Sequence, residues 1–115
     1  MDQDITFFDG QTVLITGGGG YLGSKSCEKL AKTGALIYLL DIQFNKISEK
    51  LMSRYKNINK THVDITNKET VENICKRIRP DYIFHFCALL NRDRDFSLYQ
   101  KLYEVNVQGT LNLLE

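Results

Sequence analysis

The 115-residue sequence has no tryptophan, one proline and two histidines, and its 15 basic and 14 acidic residues leave a net charge of +1. A chain so near neutrality offers no broad basic surface for nucleic acid or for an anionic membrane. No apolar run approaches the ~20 residues of a membrane span, and the first four residues lack the basic start of a signal peptide. We therefore expect a soluble, cytoplasmic protein.

Cysteine is also scarce. Cys27, Cys75 and Cys87 are far apart in the sequence and form no Cys-x-x-Cys pair. Because a zinc site needs about four such ligands at short spacings, three isolated cysteines and two histidines argue against a bound metal. We expect three reduced thiols in a reducing compartment.

Glycine, in contrast, is concentrated in one stretch, where residues 13–23 read Val-Leu-Ile-Thr-Gly-Gly-Gly-Gly-Tyr-Leu-Gly. Two spacings fit, because Gly18, Gly20 and Gly23 satisfy G-x-G-x-x-G while Gly17, Gly20 and Gly23 satisfy G-x-x-G-x-x-G. Such a turn lets the backbone approach a pyrophosphate, and the helix that follows directs free N–H groups at it. A glycine run after a strand is also compatible with a merely flexible turn.

The residues after the glycine stretch favour the phosphate-binding interpretation. The run at 35–40 is apolar throughout, as expected of a parallel strand that is covered on both faces, and Asp41 ends it. An acidic residue about 20 positions beyond the glycines is where a dinucleotide ribose is bound. The alternative is a plain turn between helix and strand, followed by an incidental aspartate.

Strand and helix patterns alternate along the whole chain. We predict strands at 12–16, 35–41, 60–63 and 82–88, and helices at 21–33, 44–55, 66–78 and 97–115, the third opened by a Thr66–Glu69 capping box. This order predicts one α/β domain over residues 1–115, with a doubly wound parallel sheet (Rossmann) in strand order 3-2-1-4. The glycines, Asp41, Asp64 and Cys87 would then all follow strand ends at one edge of the sheet.

Two further polar residues lie in apolar patterns. His85 is within the fourth strand, where a histidine is more often a core residue with a satisfied ring nitrogen than a catalyst, and we assign it no role. Asn106 shares a helical stripe with Tyr103 and Gly109, and an amide buried there needs hydrogen-bond partners. The charged residues 91–95 form a predicted solvated loop and also receive no role.

Taken together, the motifs resemble those of the extended short-chain dehydrogenase/reductases, especially the nucleotide-sugar epimerases and dehydratases. The matching segments are Thr16-Gly17-x-x-Gly20-Tyr21-Leu22-Gly23, Asp41, Asp64-Ile65, His85-Phe86-x-Ala88 and Asn106-Val107-x-Gly109-Thr110. They span nearly the whole chain. The combination is specific to the superfamily but not to one substrate.

The resemblance implies a set of cofactor-binding residues. Tyr21 and Leu22 would lie along the pyrophosphate, and Asn45 would assist Asp41 at the adenosine ribose. Asp64 and Ile65 would flank the adenine. The segment Phe86, Cys87 and Ala88 would run beside the cofactor, and Asn106 would support the site from its helix. With Gly17, Gly20, Gly23 and Asp41, these residues make up the expected cofactor site, and the expected cofactor is NAD.

The sequence lacks the family's catalytic pair, a Tyr-x-x-x-Lys after the fifth strand in which tyrosine acts as acid and base and lysine lowers its pKa. Tyr21 and Lys25 have that spacing but lie on the phosphate loop and first helix, so we reject them as catalytic. We expect no catalytic residue within these 115 positions. The domain is expected to be incomplete, without later strands or a substrate-binding region, and to be inactive alone.

Two functional hypotheses remain open. In the first, the chain is the NAD-binding part of an enzyme that acts on a nucleotide sugar by transient hydride transfer. In the second, it is a stand-alone binding module that senses a dinucleotide or pairs with another subunit. Either way the fourth strand would form an apolar sheet edge, so we expect a homo-oligomer.

Overall fold

The computed structural model describes residues 7–87, 100–101 and 103–114. Its elements are β1 (Thr12–Thr16), α1 (Tyr21–Leu30) with a 3₁₀ turn (Ala31–Thr33), β2 (Leu36–Asp41), α2 (Lys46–Arg54), β3 (Ile58–His62), α3 (Lys68–Ile78), β4 (Tyr82–His85), a π-helical turn (Glu104–Gln108) and α4 (Gly109–Leu114). The sheet has the order β3-β2-β1-β4. The predicted fold class and strand order are confirmed.

All three strand pairings are parallel, so the carboxyl ends of the strands meet at one edge. Thr16, the last residue of β1, lies in register with Leu40 of β2 and His85 of β4. Asp41 is in register with His62 at the end of β3. The register therefore places the segments that follow β1, β2, β3 and β4 next to one another.

Helices cover both faces of the sheet because the interior strands β1 and β2 are apolar on both sides. Val13 and Ile15 of β1 pack in a cluster with Cys27 and Leu30 of α1 and with Leu51 of α2. The intervening residue, Leu14, points to the opposite face. There it packs in a second cluster with Leu40, Val63, Ile65, Val71 and Ile74.

Several predicted boundaries differ from the structure. The third strand begins at Ile58 rather than at residue 60, and α3 is capped by Asn67, whose side chain accepts a hydrogen bond from Thr70 N at 3.1 Å. The predicted cap, Thr66, donates instead to Asp64 Oδ1 at 2.7 Å. Strand β4 ends at His85, and the predicted strand residue Ala88 lies outside the described residues, as does the loop at 91–95.

None of the helices in the described part of the chain combines the length and the apolar character that crossing a membrane requires.

Candidate cofactor-binding site

A cavity of about 200 Å³ opens where the carboxyl ends of the strands meet. The ends of β1 and β2 and the segments that follow β3 and β4 contribute to its wall, and so do Lys101 and Val105 near the end of the chain. Its lining residues are Thr16, Leu40, Asp41, Ile42, Val63, Asp64, Ile65, Cys87, Lys101 and Val105. Pockets that enclose a whole ligand typically measure ~300–1,000 Å³. The cavity is thus large enough for one part of a dinucleotide, with the remainder in the open crevice.

The turn after β1 is built by glycine backbone. Gly17 has φ +70°, a conformation that other residues adopt only with strain, and a Cβ there would lie 2.8 Å from the carbonyl carbon of Phe86. Its amide and that of Gly18 both donate to Leu40 O. The fold itself therefore requires glycine at 17, apart from any ligand.

Gly20 differs from its neighbours, because nothing in the fold requires it. Its side chain position is exposed, its φ is −91°, and a Cβ there would meet only Gly17 O at 3.4 Å. A Cβ at Gly18 would lie 2.8 Å from Leu39, and one at Gly19 or Gly23 would collide with backbone. Within the glycine turn, the open space at Gly20 is thus the place where another molecule could approach the backbone.

Gly20 is also the N-cap of α1. The hydrogen bonds of this helix begin with Ser24 N, which donates to Gly20 O at 3.0 Å. The amides of Tyr21, Leu22 and Gly23 are consequently the first-turn donors that a helix leaves without an internal acceptor. The Tyr21 and Leu22 side chains are 67% and 64% exposed. This end of α1 offers N–H groups and the positive end of the helix dipole to an anion.

Asp41 stands beside that turn, with its carboxylate held by backbone amides. Oδ2 accepts from Gly19 N at 3.0 Å, and Oδ1 accepts from Ile42 N at 2.7 Å. A carboxylate has about four lone-pair positions, so both oxygens retain capacity for further donors. The carboxylate therefore braces the glycine turn and still presents acceptors to the cavity.

Asp64 and Ile65 form the next part of the wall. Asp64 accepts hydrogen bonds from the hydroxyl and the amide of Thr66, which lower the pKa of its carboxyl and keep it ionised. Ile65 is buried, and Gly109 of α4 packs so closely on it that a Cβ at 109 would lie 2.7 Å from Ile65 Cγ2. The site is thus supported from behind by α4.

The segment after β4 follows the end of β1. Phe86 N donates to Thr16 O at 3.1 Å, and Cys87 N donates to Thr16 Oγ1 at 3.2 Å. Burial, reinforced by the carboxylates of Asp41 and Asp64, raises the pKa of the Cys87 thiol. Cys87 is therefore a neutral thiol in the wall and not an activated nucleophile. Ala88 lies outside the described residues.

The two predicted asparagines have structural partners. Asn45 caps α2, because its Oδ1 accepts from Ser48 N at 2.8 Å, while its Nδ2 donates to Ser24 Oγ at 3.3 Å. Asn106 is half-buried in the π-helical turn, and its backbone carbonyl accepts a hydrogen bond from the Thr110 hydroxyl.

The prediction that Tyr103, Asn106 and Gly109 share one buried face of the last helix is wrong in part. The extra residue of the π turn changes which residues face the core. Tyr103 is 55% exposed, and the fully buried amide is Asn112. Its Nδ2 donates to Ile65 O at 3.0 Å. The sequence pattern missed Asn112, and it also gave no role to Thr16 or Gly19, both of which hold cavity residues in place.

The described residues contain no group of three or more His, Cys, Asp or Glu that could hold a metal ion. Tyr21 and Lys25 form no hydrogen-bonded pair. The Lys25 Nζ lies 6.0 Å from the centre of the Tyr21 ring and 3.8 Å from Glu28 Oε1. The arrangement places the free amides at the start of α1 near a carboxylate that lines a mainly apolar cavity, a combination that can bind and orient an anionic ligand.

Comparison with known proteins gives a consistent result. The family model described as the NAD dependent epimerase/dehydratase family matches residues 13–115. A UDP-glucose 4-epimerase of Bacillus subtilis is 31% identical over 108 residues, covering 90% of this chain and 32% of the relative. An epimerase structure from Methanothermobacter thermautotrophicus has 32% identity and a TM-score of 0.80 over 98% of this chain and 34% of its own.

A third similar protein is a short-chain dehydrogenase of Leptospira borgpetersenii, whose structure contains bound NAD⁺. It has 25% identity and a TM-score of 0.81, with 93% of this chain and 44% of that chain covered. The chain spans about a third of the length of the epimerases that it matches.

Proposed function

The chain belongs to the NAD-dependent epimerase/dehydratase family, and we propose that it is the NAD-binding part of an enzyme acting on a nucleotide sugar. When bound, NAD would accept a hydride from a sugar carbon and return it. The residues of this chain would bind and orient the dinucleotide. The proposed domain covers residues 1–115.

One observation carries this proposal: the Asp41 carboxylate, which lines the cavity, accepts a hydrogen bond from Gly19 N in the turn that leads directly into α1. The pyrophosphate would lie at the amides of Tyr21 and Leu22, over the open space at Gly20. The adenosine would occupy the cavity, with its ribose at Asp41 and its base between Asp64 and Ile65. Phe86, Cys87 and Ala88 would follow the cofactor further along the crevice, and Asn106 would support it from the π turn.

Asp41 also supports a preference for NAD over NADP. Both of its oxygens already accept amide hydrogen bonds, which fix the negative charge at the proposed ribose position. Ribose hydroxyls can donate to it, whereas a 2′-phosphate would be repelled. The following residues, Ile42, Gln43 and Phe44, supply no cation that would compensate.

Isothermal titration calorimetry with both cofactors tests this function. We expect NAD to bind at least about tenfold more tightly than NADP, a difference of about 1.4 kcal/mol. Asp41→Asn removes the negative charge but retains an oxygen that can accept a hydrogen bond from Gly19 N. It should therefore weaken NAD binding and reduce the preference for NAD over NADP. Glu49→Gln removes an exposed carboxylate that pairs with Lys60 on the far edge strand, and it should change neither affinity.

Equal affinity of the wild-type chain for NAD and NADP would contradict the proposal. So would an Asp41→Asn variant that keeps the wild-type preference for NAD over NADP. The chain alone should not reduce NAD in the presence of a nucleotide sugar, because it lacks the Tyr-x-x-x-Lys pair after a fifth strand. Reduction of NAD by a nucleotide sugar is proposed only for the whole enzyme.

We further propose that the chain acts in the cytoplasm and self-associates. Cys27, Cys75 and Cys87 are all free thiols, which fits a reducing compartment. Among the described strands, β4 pairs only with β1, and Ile83 of β4 is 40% exposed beside the 77% exposed Leu114. An apolar sheet edge of this kind favours pairing with another chain.

A further inference from the structure

His85, to which the sequence patterns assign no role, makes hydrogen bonds through both ring nitrogens. Nδ1 lies 2.5 Å from Thr16 Oγ1 on β1, and Nε2 lies 2.9 Å from Thr110 Oγ1 on α4. The imidazole therefore joins the central strand, the last strand and the last helix at the edge of the sheet where the cavity opens.

The partners of the two hydroxyls determine the direction of these bonds. Thr110 donates its proton to Asn106 O at 2.8 Å, so its oxygen must accept from His85 Nε2–H. At the other end, Cys87 N donates to Thr16 Oγ1 at 3.2 Å. The Thr16 hydroxyl is then free to donate to His85 Nδ1. The Thr110 end requires the proton on Nε2, and the Thr16 end is satisfied by the same neutral tautomer.

The bonds form one continuous relay from Cys87 N–H, through Thr16, His85 and Thr110, to the carbonyl of Asn106. Its first member is in the cavity wall, and its last is in the π-helical turn that also supplies the wall residue Val105. Isolated π turns are frequent at functional sites. The relay thus ties together two sides of the cavity that are distant in the sequence.

Protonation of the imidazole would disrupt this arrangement. Nδ1 would become a donor to Thr16 Oγ1 instead of an acceptor, and the Thr16 proton would lose its acceptor. The groups around the ring, Thr16 of β1, Ile83 of β4 and Thr110 and Leu113 of α4, are uncharged. The charged residues of the cavity wall are Asp41, Asp64 and Lys101. Burial lowers the pKa of His85 and favours the neutral ring.

We propose that His85 is a positioning residue, which as the Nε2–H tautomer holds the Cys87 backbone and the Asn106 carbonyl in the geometry that binds the cofactor. The effect on the cofactor rests on the proposed function. The tautomer and the relay do not, since they follow from the hydrogen bonds alone.

Long-range ¹H–¹⁵N NMR of the wild-type chain tests the relay directly, because the two ring nitrogens have different shifts in each tautomer. We expect His85 to be a single Nε2–H tautomer at about pH 8. An Nδ1–H tautomer, or a rapidly exchanging mixture, would overturn the relay. This measurement needs no variant and no cofactor.

Calorimetric titration of NAD into three variants then tests the positioning role. An asparagine amide oxygen can replace Nδ1 as the acceptor from Thr16, whereas a glutamine amide can replace Nε2 as the donor to Thr110. Because the Thr16 end of the relay holds Cys87, which lines the cavity, while Thr110 and Asn106 lie behind it, the Thr16 end should matter more for NAD binding. His85→Asn should therefore keep NAD affinity within about threefold, while His85→Gln and His85→Phe should lose about tenfold, as for one hydrogen bond. His62→Gln changes the other histidine, which is exposed on β3, and should have no effect.

The wild-type affinity should also fall as the pH decreases through the pKa of His85, and His85→Asn should remove that dependence. Equal affinity of the Asn, Gln and Phe variants would overturn the positioning role. If the wild-type chain binds no NAD at any pH, the proposed function fails instead, and the tautomer measurement decides the relay by itself.

Discussion

At the scale of single residues, the glycine turn serves two purposes that the sequence pattern does not separate. The motif predicted a turn that lets the backbone approach a pyrophosphate. In the structure Gly17 is required by its positive φ and by the Phe86 backbone, whereas Gly20 has ordinary φ and open space. The sequence could indicate the turn, but the contacts that these glycines make with the segments after β4 and after β2 are long-range and leave no local signal.

This difference predicts opposite effects of two alanine substitutions. Gly17→Ala should destabilise the chain by at least about 1–2 kcal/mol, because alanine is strained at this φ and lacks space. Gly20→Ala puts alanine at the N-cap of α1, where it is less favourable than glycine, and should lower the free energy of unfolding by about 1 kcal/mol or less. It should weaken NAD binding about tenfold, since its methyl group would occupy the proposed pyrophosphate position. Urea unfolding and calorimetry measure the two quantities.

Gly10→Ala is a matched control for backbone strain alone. Gly10 also has a positive φ, +76°, but no atom would lie within 4 Å of its Cβ. It should lose stability without losing NAD affinity. A Gly20→Ala variant that binds NAD like the wild type would show that the ligand does not approach the turn there.

At the scale of elements, the apolar periodicity located every described helix and strand, but the boundaries depend on contacts. In the edge strand β3, Ile58 is followed by four polar residues, so the start of the strand at Ile58 is marked mainly by its pairing with Ile37. The N-cap of α3 is Asn67 rather than the predicted Thr66, because the Thr66 hydroxyl donates its hydrogen bond to Asp64. The phase of the last helix could not be predicted, because the π turn inserts a residue.

The buried amide of Asn112 links α4 to the cavity wall. It donates to Ile65 O and accepts from Gln108 Nε2, both at 3.0 Å. Asn112→Ala leaves the Ile65 carbonyl without its hydrogen-bond donor. We predict that it lowers the free energy of unfolding by about 1–3 kcal/mol and weakens NAD binding. Denaturant unfolding checks the first effect, and calorimetry checks the second.

Asn73→Ala provides the comparison, because Asn73 is exposed in the middle of α3. Alanine is the better helix former there, so this variant should be as stable as the wild type or slightly more stable. If Asn112→Ala were no less stable than Asn73→Ala, α4 would not be anchored through its amide.

At the scale of the whole molecule, the alternation of strands and helices was sufficient to predict the sheet order. Parallel strands joined by helical crossovers have few compatible arrangements, and the structure has the predicted one. The sequence also predicted an apolar edge at β4, but it could not tell which side chain faces outward. Phe84 packs against Phe8 with ring centroids 6.0 Å apart, and Ile83 is the exposed residue.

We therefore predict that Ile83→Lys reduces self-association of the chain, because a charged residue on an edge strand opposes pairing with another chain. Leu36→Lys is a matched control, since Leu36 is equally exposed, at 40%, but lies at the start of the interior strand β2. Sedimentation at micromolar concentration should show a dimer for the wild type and Leu36→Lys, and a monomer for Ile83→Lys. A wild-type monomer would contradict self-association, and a dimer of Ile83→Lys would place the contact elsewhere.

The central claim is that one crevice at the carboxyl edge of the sheet binds NAD. Titration of NAD into the ¹⁵N-labelled chain, followed by ¹H–¹⁵N correlation spectra, tests it at every assigned amide. The account predicts that the largest shifts occur at the amides of Tyr21, Leu22, Ile42, Ile65 and Cys87, and that Asp41→Asn reduces them. Unchanged spectra, or shifts concentrated at the opposite edge of the sheet around Thr12 and Leu36, would contradict it.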